Sequence, residues 1–235
     1  MRLVSVALLT LALLLPAAAQ AAERKFSIFG FEDIRIGNGV NVVLVSGKGP
    51  SARAEGETRE ILDRVSLQRN GKQLIVSLKR KSLNGDDHDS DGPVTLYLSS
   101  HAVSRISHLG SGRVTLDKLS GRTPHVRLGG FGTLQIDAVE ADRLDLAMTG
   151  GGQVTLAGEV RDARIELQGA SMFESPDLTV EKLTLIHRGP ASSRMTVTRE
   201  AVITNNGTGQ INIAGKPNCL VRTDGAATIL CNPDR

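Results

Sequence analysis

The sequence predicts an all-β protein built as a single parallel β-solenoid, and three observations carry that prediction. Glycines recur at 110, 130, 150, 169, 189, 207 and 225, with gaps of 20, 20, 19, 20, 18 and 18 residues. Around them, apolar and small residues keep step at even offsets. Large aromatic side chains are scarce, at 3% with no Trp, while glycines number 25. Regular self-similarity at such a period is the signature of a repeat architecture. Even offsets place the matching residues on one face of an extended chain, whereas a helix would need matches at three and four.

The columns are explicit. Four residues before the anchors stand Ile106, Val126, Leu146, Ile165, Leu185, Ile203 and Val221; two after stand Gly112, Gly132, Gly152, Ser171, Ala191, Gly209 and Ala227. Four after come Val114, Leu134, Val154, Phe173, Ser193, Ile211 and Ile229. Near six after come Leu116, Ile136, Leu156, Ser175, Val197, Ile213 and Cys231. A further apolar position follows in the first four copies, at Leu119, Val139, Val160 and Leu178. Two short strands meeting at a glycine corner, with a third inward side, describe one coil. Glycine supplies a positive φ at the corner, and a small neighbour lets corners stack. A single coil cannot bury its inner face, but stacked coils bury it against one another. Seven coils at ~4.8 Å each give a rod on the order of 30 Å long. A β-sandwich with regular turns is the alternative, and the equal periods disfavour it.

The blocks Leu-Gly-Ser-Gly-Arg-Val-Thr-Leu (109–116), Thr-Gly-Gly-Gly-Gln-Val-Thr-Leu (149–156) and Asn-Gly-Thr-Gly-Gln-Ile-Asn-Ile (206–213) resemble the glycine ladder of the GIN-domain family. The opening Gly30-Phe31-Glu32-Asp33-Ile34 is similar to that family's Gly-Phe-x-x-Ile. The family is labelled for autotransporter adhesin heads. The resemblance implies a right-handed parallel β-helix in an exported bacterial protein, without catalytic residues. The copies at Gly169 and Gly189 depart from the ladder, with Ala170-Ser171 and Pro190-Ala191 after the anchor.

Taken in order, residues 1–21 read as an export leader. Arg2 precedes an apolar run from Leu3 to Leu15, and Ala19-Gln20-Ala21 fits a small-residue cleavage site, so the mature chain is expected to begin at Ala22. The run is too short to span a bilayer, and no other stretch qualifies. A periplasmic or secreted, cell-surface location follows as the expectation. Residues 22–235 are expected to form one domain. Within it, residues 26–98 read as an irregular N-terminal part without the ladder, which begins the solenoid and covers its first coil. Phe29, Phe31, Ile34 and Ile36, then Val40, Val42 and Leu44, alternate around Gly37-Asn38-Gly39. Glu57–Val65 reads as a short helix or a turn. Val65–Leu78 reads as two strands with Asn70-Gly71 as the hairpin turn.

Residues 84–92 form an acidic loop. Asp87, Asp89, Asp91 and Gly92 spell the first half of a calcium-binding loop, in which alternate carboxylates converge on one hard cation. The twelfth position is Leu98 where a bidentate Glu is needed, so a merely solvated loop stays open. Apart from calcium there, no cofactor is expected. His88, His101, His108, His125 and His187 show no metal-ligand spacing. His108 and His187 both fall two residues before an anchor, yet by stacking they lie on the order of 19 Å apart, at ~4.8 Å per coil. The only cysteines, Cys219 and Cys231, flank Gly225 symmetrically and suit a disulfide in an oxidising compartment.

The formal net charge of +3, with Lys and Arg scattered, gives no basis for nucleic-acid binding. No Gly-x-Ser-x-Gly elbow occurs. One equivalent outward position reads Arg113, Thr133, Gln153, Met172, Ser192, Gln210 and Thr228, which gathers no single chemistry. The function expected is a non-catalytic envelope binding module whose partner is an envelope protein or glycan, with self-association left open. A carbohydrate-active β-helix enzyme and a structural assembly protein are the alternatives. Three or more convergent carboxylates in a groove would favour the enzyme, and a flat polar side would favour binding.

Overall fold

A computed structural model describes residues 21–79 and 92–231. The chain opens with β1 (Ala22–Phe26), β2 (Asp33–Ile36), β3 (Val40–Ser46), β4 (Ser51–Gly56), a one-turn helix α1 (Arg59–Asp63), β5 (Val65–Asn70), β6 (Gln73–Leu78) and β7 (Val94–Ser100). The repeat then supplies β8 (Arg105–His108), β9 (Arg113–Gly121), β10 (His125–Gly130), β11 (Thr133–Gly150), β12 (Gln153–Gln168), β13 (Met172–Arg188), β14 (Ser192–Asn205), β15 (Gln210–Ala214), β16 (Asn218–Thr223) and β17 (Thr228–Cys231). The protein is nearly all β, with a β-solenoid of about 6 turns.

Parallel pairing follows the predicted register. Ile106 lies opposite Val126, Val126 opposite Leu146, and Leu146 opposite Ile165; on the other side of the corner Val114, Leu134 and Val154 align in turn. These columns are buried, as are Leu119, Val139, Val160 and Leu178 on the third side. The column near six residues after the anchors needs one correction. Met195, six residues after Gly189, stands between Ser175 and Ile213, whereas Val197 is eight after it and pairs with Val180 beyond the register slip between β13 and β14.

The anchor glycines stack one over the next, and lack of space is what selects them. A Cβ on Gly150 would sit 2.6 Å from the carbonyl oxygen of Gly130, and one on Gly207 would sit 2.3 Å from that of Gly189. Positive φ is a less general reason than the sequence suggests. Gly130, Gly150, Gly169 and Gly189 have it, but Gly110, Gly207 and Gly225 do not. In the coils of Gly110 and Gly207 the left-handed residue is the second glycine, Gly112 or Gly209, so the reversal is displaced by two positions.

The two serines that interrupt the core columns have structural reasons. Ser175 is buried, and its hydroxyl accepts from the backbone N–H of Leu156 at 2.9 Å, where the β12–β13 ladder breaks before Pro176. Ser193 lies directly opposite Phe173, the largest fully buried side chain. A small residue beside a large one keeps the narrow interior filled without strain.

The N-terminal segment is more regular than expected. Two of its strand pairs are coils of the solenoid. Ile34 pairs with Ile106 and Val42 with Val114, so β2, the Gly37-Asn38-Gly39 corner and β3 form the coil below that of Gly110, where a Cβ on Gly110 would run into Asn38. Below that again, β6 pairs with β2 and β7 with β3. The remaining pieces close this end by antiparallel pairing: β4 on β7, β1 on β4, and β5 on β6. An edge so covered cannot template further parallel strands. The helix α1 is capped by Thr58, whose hydroxyl accepts from the Ile61 N–H, and it buries Ile61 and Leu62. The hairpin turn is Gly71-Lys72, one residue later than Asn70-Gly71, since Asn70 pairs with Gln73.

Candidate functional site

Strand alternation sends every second residue outward, so register alone decides which outward side chains become neighbours. After the corner, Arg113, Thr133, Gln153, Met172, Ser192, Gln210 and Thr228 do form one continuous column. Beside it runs a second, through Thr115, Gln135 and Thr155. This side is mainly polar, with Arg113 at one end and the Glu174–Arg194 ion pair further along.

Before the corner the outward residues are mainly charged. One column runs Asp33, Arg105, His125, Asp145, Arg164 and Thr184; the next runs Arg35, Ser107, Arg127, Ala147, Glu166 and Ile186. A shallow trough of about 510 Å³ lies over them, lined by Arg105, Ser107, His125, Arg127, Asp145, Arg164 and Glu166. Its two acids are each held by a base: Asp145 lies 3.4 Å from the His125 Nδ1, and Glu166 accepts from the Arg164 guanidinium at 3.1 Å through Nε. Arg105 sits 3.4 Å from Asp33. Among the described residues Arg35 and Arg127 have no ion-pair partner.

A second concavity, about 620 Å³, lies at the covered end, between β3, β4, β7 and the segment after β1. Phe26, Ile28, Val43, Val45 and Tyr97 give it apolar walls, and Lys48 stands at its rim. Arg53 stacks over the Tyr97 ring at 4.5 Å. The third side of the rod carries inter-coil ion pairs, Lys118–Glu140 at 2.6 Å and Arg199–Glu181 at 3.1 Å, both well exposed and so worth well under a kcal/mol or about 1 at most. Phe131 is the most exposed large apolar residue, at 81%, with its ring laid over Gly151 at the corner.

The other residues singled out in the sequence fall as follows. Asp87, Asp89, Asp91 and His88 lie outside the described residues, as does the leader through residue 20. His108 and His187 point inward in one column, separated by Leu128, Met148 and Leu167, so the four-step separation holds. His108 donates through Nε2 to the Gly112 carbonyl at 3.2 Å, and its Nδ1 has no partner among the described residues. Burial pushes its pKa down, with the Gly112 and Ile36 carbonyls opposing. His187 meets Asn205 at 2.7 Å and the Ala191 carbonyl at 3.0 Å. Cys219 and Cys231 are bonded, with their Cα atoms 6.4 Å apart, closing the last pair of strands. Among the described residues no three His, Cys, Asp or Glu side chains gather as a metal site. Neither concavity was legible as a site in the sequence, because each is assembled from segments brought together only by coil register.

Solved structures share this fold. One described as a "putative adhesin" from Bacteroides fragilis superposes with a TM-score of 0.75 at 19% identity, covering 90% of this chain and 97% of the other. A "putative lipid binding protein" from Parabacteroides distasonis gives 0.63 at 16%, covering 89% and 95%. A "putative adhesin" from Parabacteroides merdae gives 0.60 at 14%, covering 89% and 95%. No curated protein matches the chain. Residues 30–217, most of the rod and much of its covered end, match the family described as "Putative auto-transporter adhesin, head GIN domain", and the chain belongs to that family.

Proposed function

We propose that this protein is an exported, non-catalytic binding module of the cell envelope, periplasmic or at the cell surface, and that it presents the sides of a rigid rod to an envelope protein or glycan. The observation that carries the reading is the in-register outward surface: a mainly polar side of Thr, Gln and Ser columns after the corner, next to a charged trough before it. Flat, pre-organised sheet faces lose little entropy on association, which suits recognition. The trough supports binding over catalysis, since its lining holds only two carboxylates, each against a basic side chain, rather than the three or more that a catalytic groove is expected to gather. Fold alone decides nothing here, because enzymes and adhesins share solenoids. The adhesin description of the family and of two of its structural relatives points the same way.

The test is capture of envelope components by the mature chain immobilised through its C-terminus, alongside incubation with envelope polysaccharides and end-group assay. Saturable capture with no new reducing ends is the expected result. Depolymerisation lost on Asp145→Asn or Glu166→Gln would replace this reading with the enzymatic one.

A further inference from the structure

We infer that the end of the trough holds a subsite for the anionic group of an acidic polysaccharide, centred on Ser107 and formed by Arg105 and Arg127 of its lining with Arg35 on the adjoining strand; the inference rests on the binding-module reading above. Three distant stretches of sequence converge there. Arg35 and Arg127 are the lateral neighbours of Ser107 on the strands to either side, each about 4.8 Å away across the sheet. Arg105 precedes Ser107 by two residues on the same face, at roughly 6.6 Å along the strand. All three arginines are solvent-facing. Among the described residues the Ser107 hydroxyl makes no hydrogen bond, and Arg35 and Arg127 have no ion-pair partner. The one acid inside the cluster is Asp33, on Arg105.

Three guanidinium groups gathered round a free hydroxyl repel one another. A bound anion relieves that repulsion and is gripped by planar donor forks, which match a carboxylate or sulfate ester better than a point charge does. The rest of the trough narrows the ligand. Beyond His125 it continues past Asp145 to Arg164 and Glu166, alternating acceptors with donors. Sugar hydroxyls can donate to those carboxylates, whereas a continuous run of negative charge is repelled by them. The trough therefore fits isolated anionic groups spaced along a neutral, hydroxyl-rich chain. It does not fit single-stranded nucleic acid, whose bases also need exposed aromatic rings beside the basic groups.

The experiment uses the mature chain and two oligosaccharide probes in which every second sugar is charged: hyaluronan for the carboxylate and κ-carrageenan for the sulfate ester. Binding is measured at low and at physiological salt, with neutral dextran and phosphatidylglycerol vesicles as further probes. Expected is binding to one or both charged probes that weakens with salt, falls at least tenfold in the Arg35→Gln/Arg127→Gln double variant, and stays within twofold in an Arg59→Gln/Arg199→Gln control, both exposed and away from the trough and the polar side. Arg127→Lys should recover only part of the loss, since an ammonium lacks the fork. Circular dichroism of the exposed-site variants checks that the fold is intact. Equal binding by the double variant and the parent overturns the inference, and so does binding to the vesicles with neither oligosaccharide. If the double variant still captures an envelope partner as the parent does, this subsite is wrong while the general binding role stands. If the parent captures nothing from the envelope, that role itself fails.

Discussion

Replacing Gly150 by Val tests whether the stacked corners hold the rod together. Gly150 has φ +109°, a region that β-branched residues adopt only with strain, and that strain is about 1–3 kcal/mol. The added Cβ would stand 2.6 Å from the Gly130 carbonyl oxygen and 3.1 Å from its nitrogen. Both atoms belong to backbone, so no side chain can swing aside. Gly169 is packed against the opposite side of Gly150, with its own Cβ position 2.7 Å from the Gly150 oxygen, so the corner cannot retreat upward. Overpacking of this kind adds about 1–3 kcal/mol. Together the two effects come to about 4 kcal/mol, which for a chain of this size lowers the melting temperature by roughly 8–16 °C. Arg113→Val, on an exposed outward position, should change stability by no more than about 0.5 kcal/mol. Scanning calorimetry of the two variants beside the parent reads the difference. Melting temperatures of the two variants within a degree of each other would refute the assignment of Gly150 to a closely stacked corner.

Other outcomes follow from single features. Cys219→Ser with Cys231→Ser removes a cross-link spanning 12 residues, which should lower stability by about 3 kcal/mol and expose the β16–β17 pair to hydrogen exchange; unchanged protection of residues 218–231 would show that the bond is dispensable. His108 is neutral in its buried site because its folded pKa lies below the ordinary 6.5, so the unfolded chain takes up a proton first and stability falls as pH drops below about 6.5 toward the folded value. Denaturant titrations at several pH values should show that decline and its attenuation in His108→Leu; an identical decline in the variant assigns it to other groups. Deletion of residues 86–91 should leave the melting temperature within about 2 °C, as shortening a polar connection between strands changes loop entropy little. A calcium-induced rise in the parent that the deletion abolishes would assign the ion to Asp87, Asp89 and Asp91.

The sequence made the repeat plain because each coil obeys the same local demands, an inward apolar pair on either side of a crowded corner. At Gly189 the count of six gives Met195 directly; Val197 is apolar as well but lies two residues further along, past the slip between β13 and β14, and so belongs to another column. The coil of residues 33–46 was hidden for another reason: its neighbours in space, β6 and β8, come from 27 or more residues further on, so no fixed period marks it. Arg35 and Arg127 escaped notice likewise, as 92 residues separate two side chains that flank one serine. The column around Gly225 shows the limit of pattern reading. Val221 keeps the apolar register but is 40% exposed, because nothing among the described residues stacks beyond it.

The placement of β2 between β6 and β8 also fixes the order in which the rod can assemble. The second coil of the stack is the first to be synthesised, and it waits for a partner on each side. Neither is available until β6 and then β8 have emerged, so the base of the rod closes through contacts between residues some 40 and 70 positions apart. Such non-local closure is the slow part of folding. Every later coil needs only the one made about twenty residues before it, and growth from there is local and directional. The chain thus behaves as a seed followed by a zipper. Losses at the seed abolish the whole rod, whereas trimming from the far end removes one coil at a time.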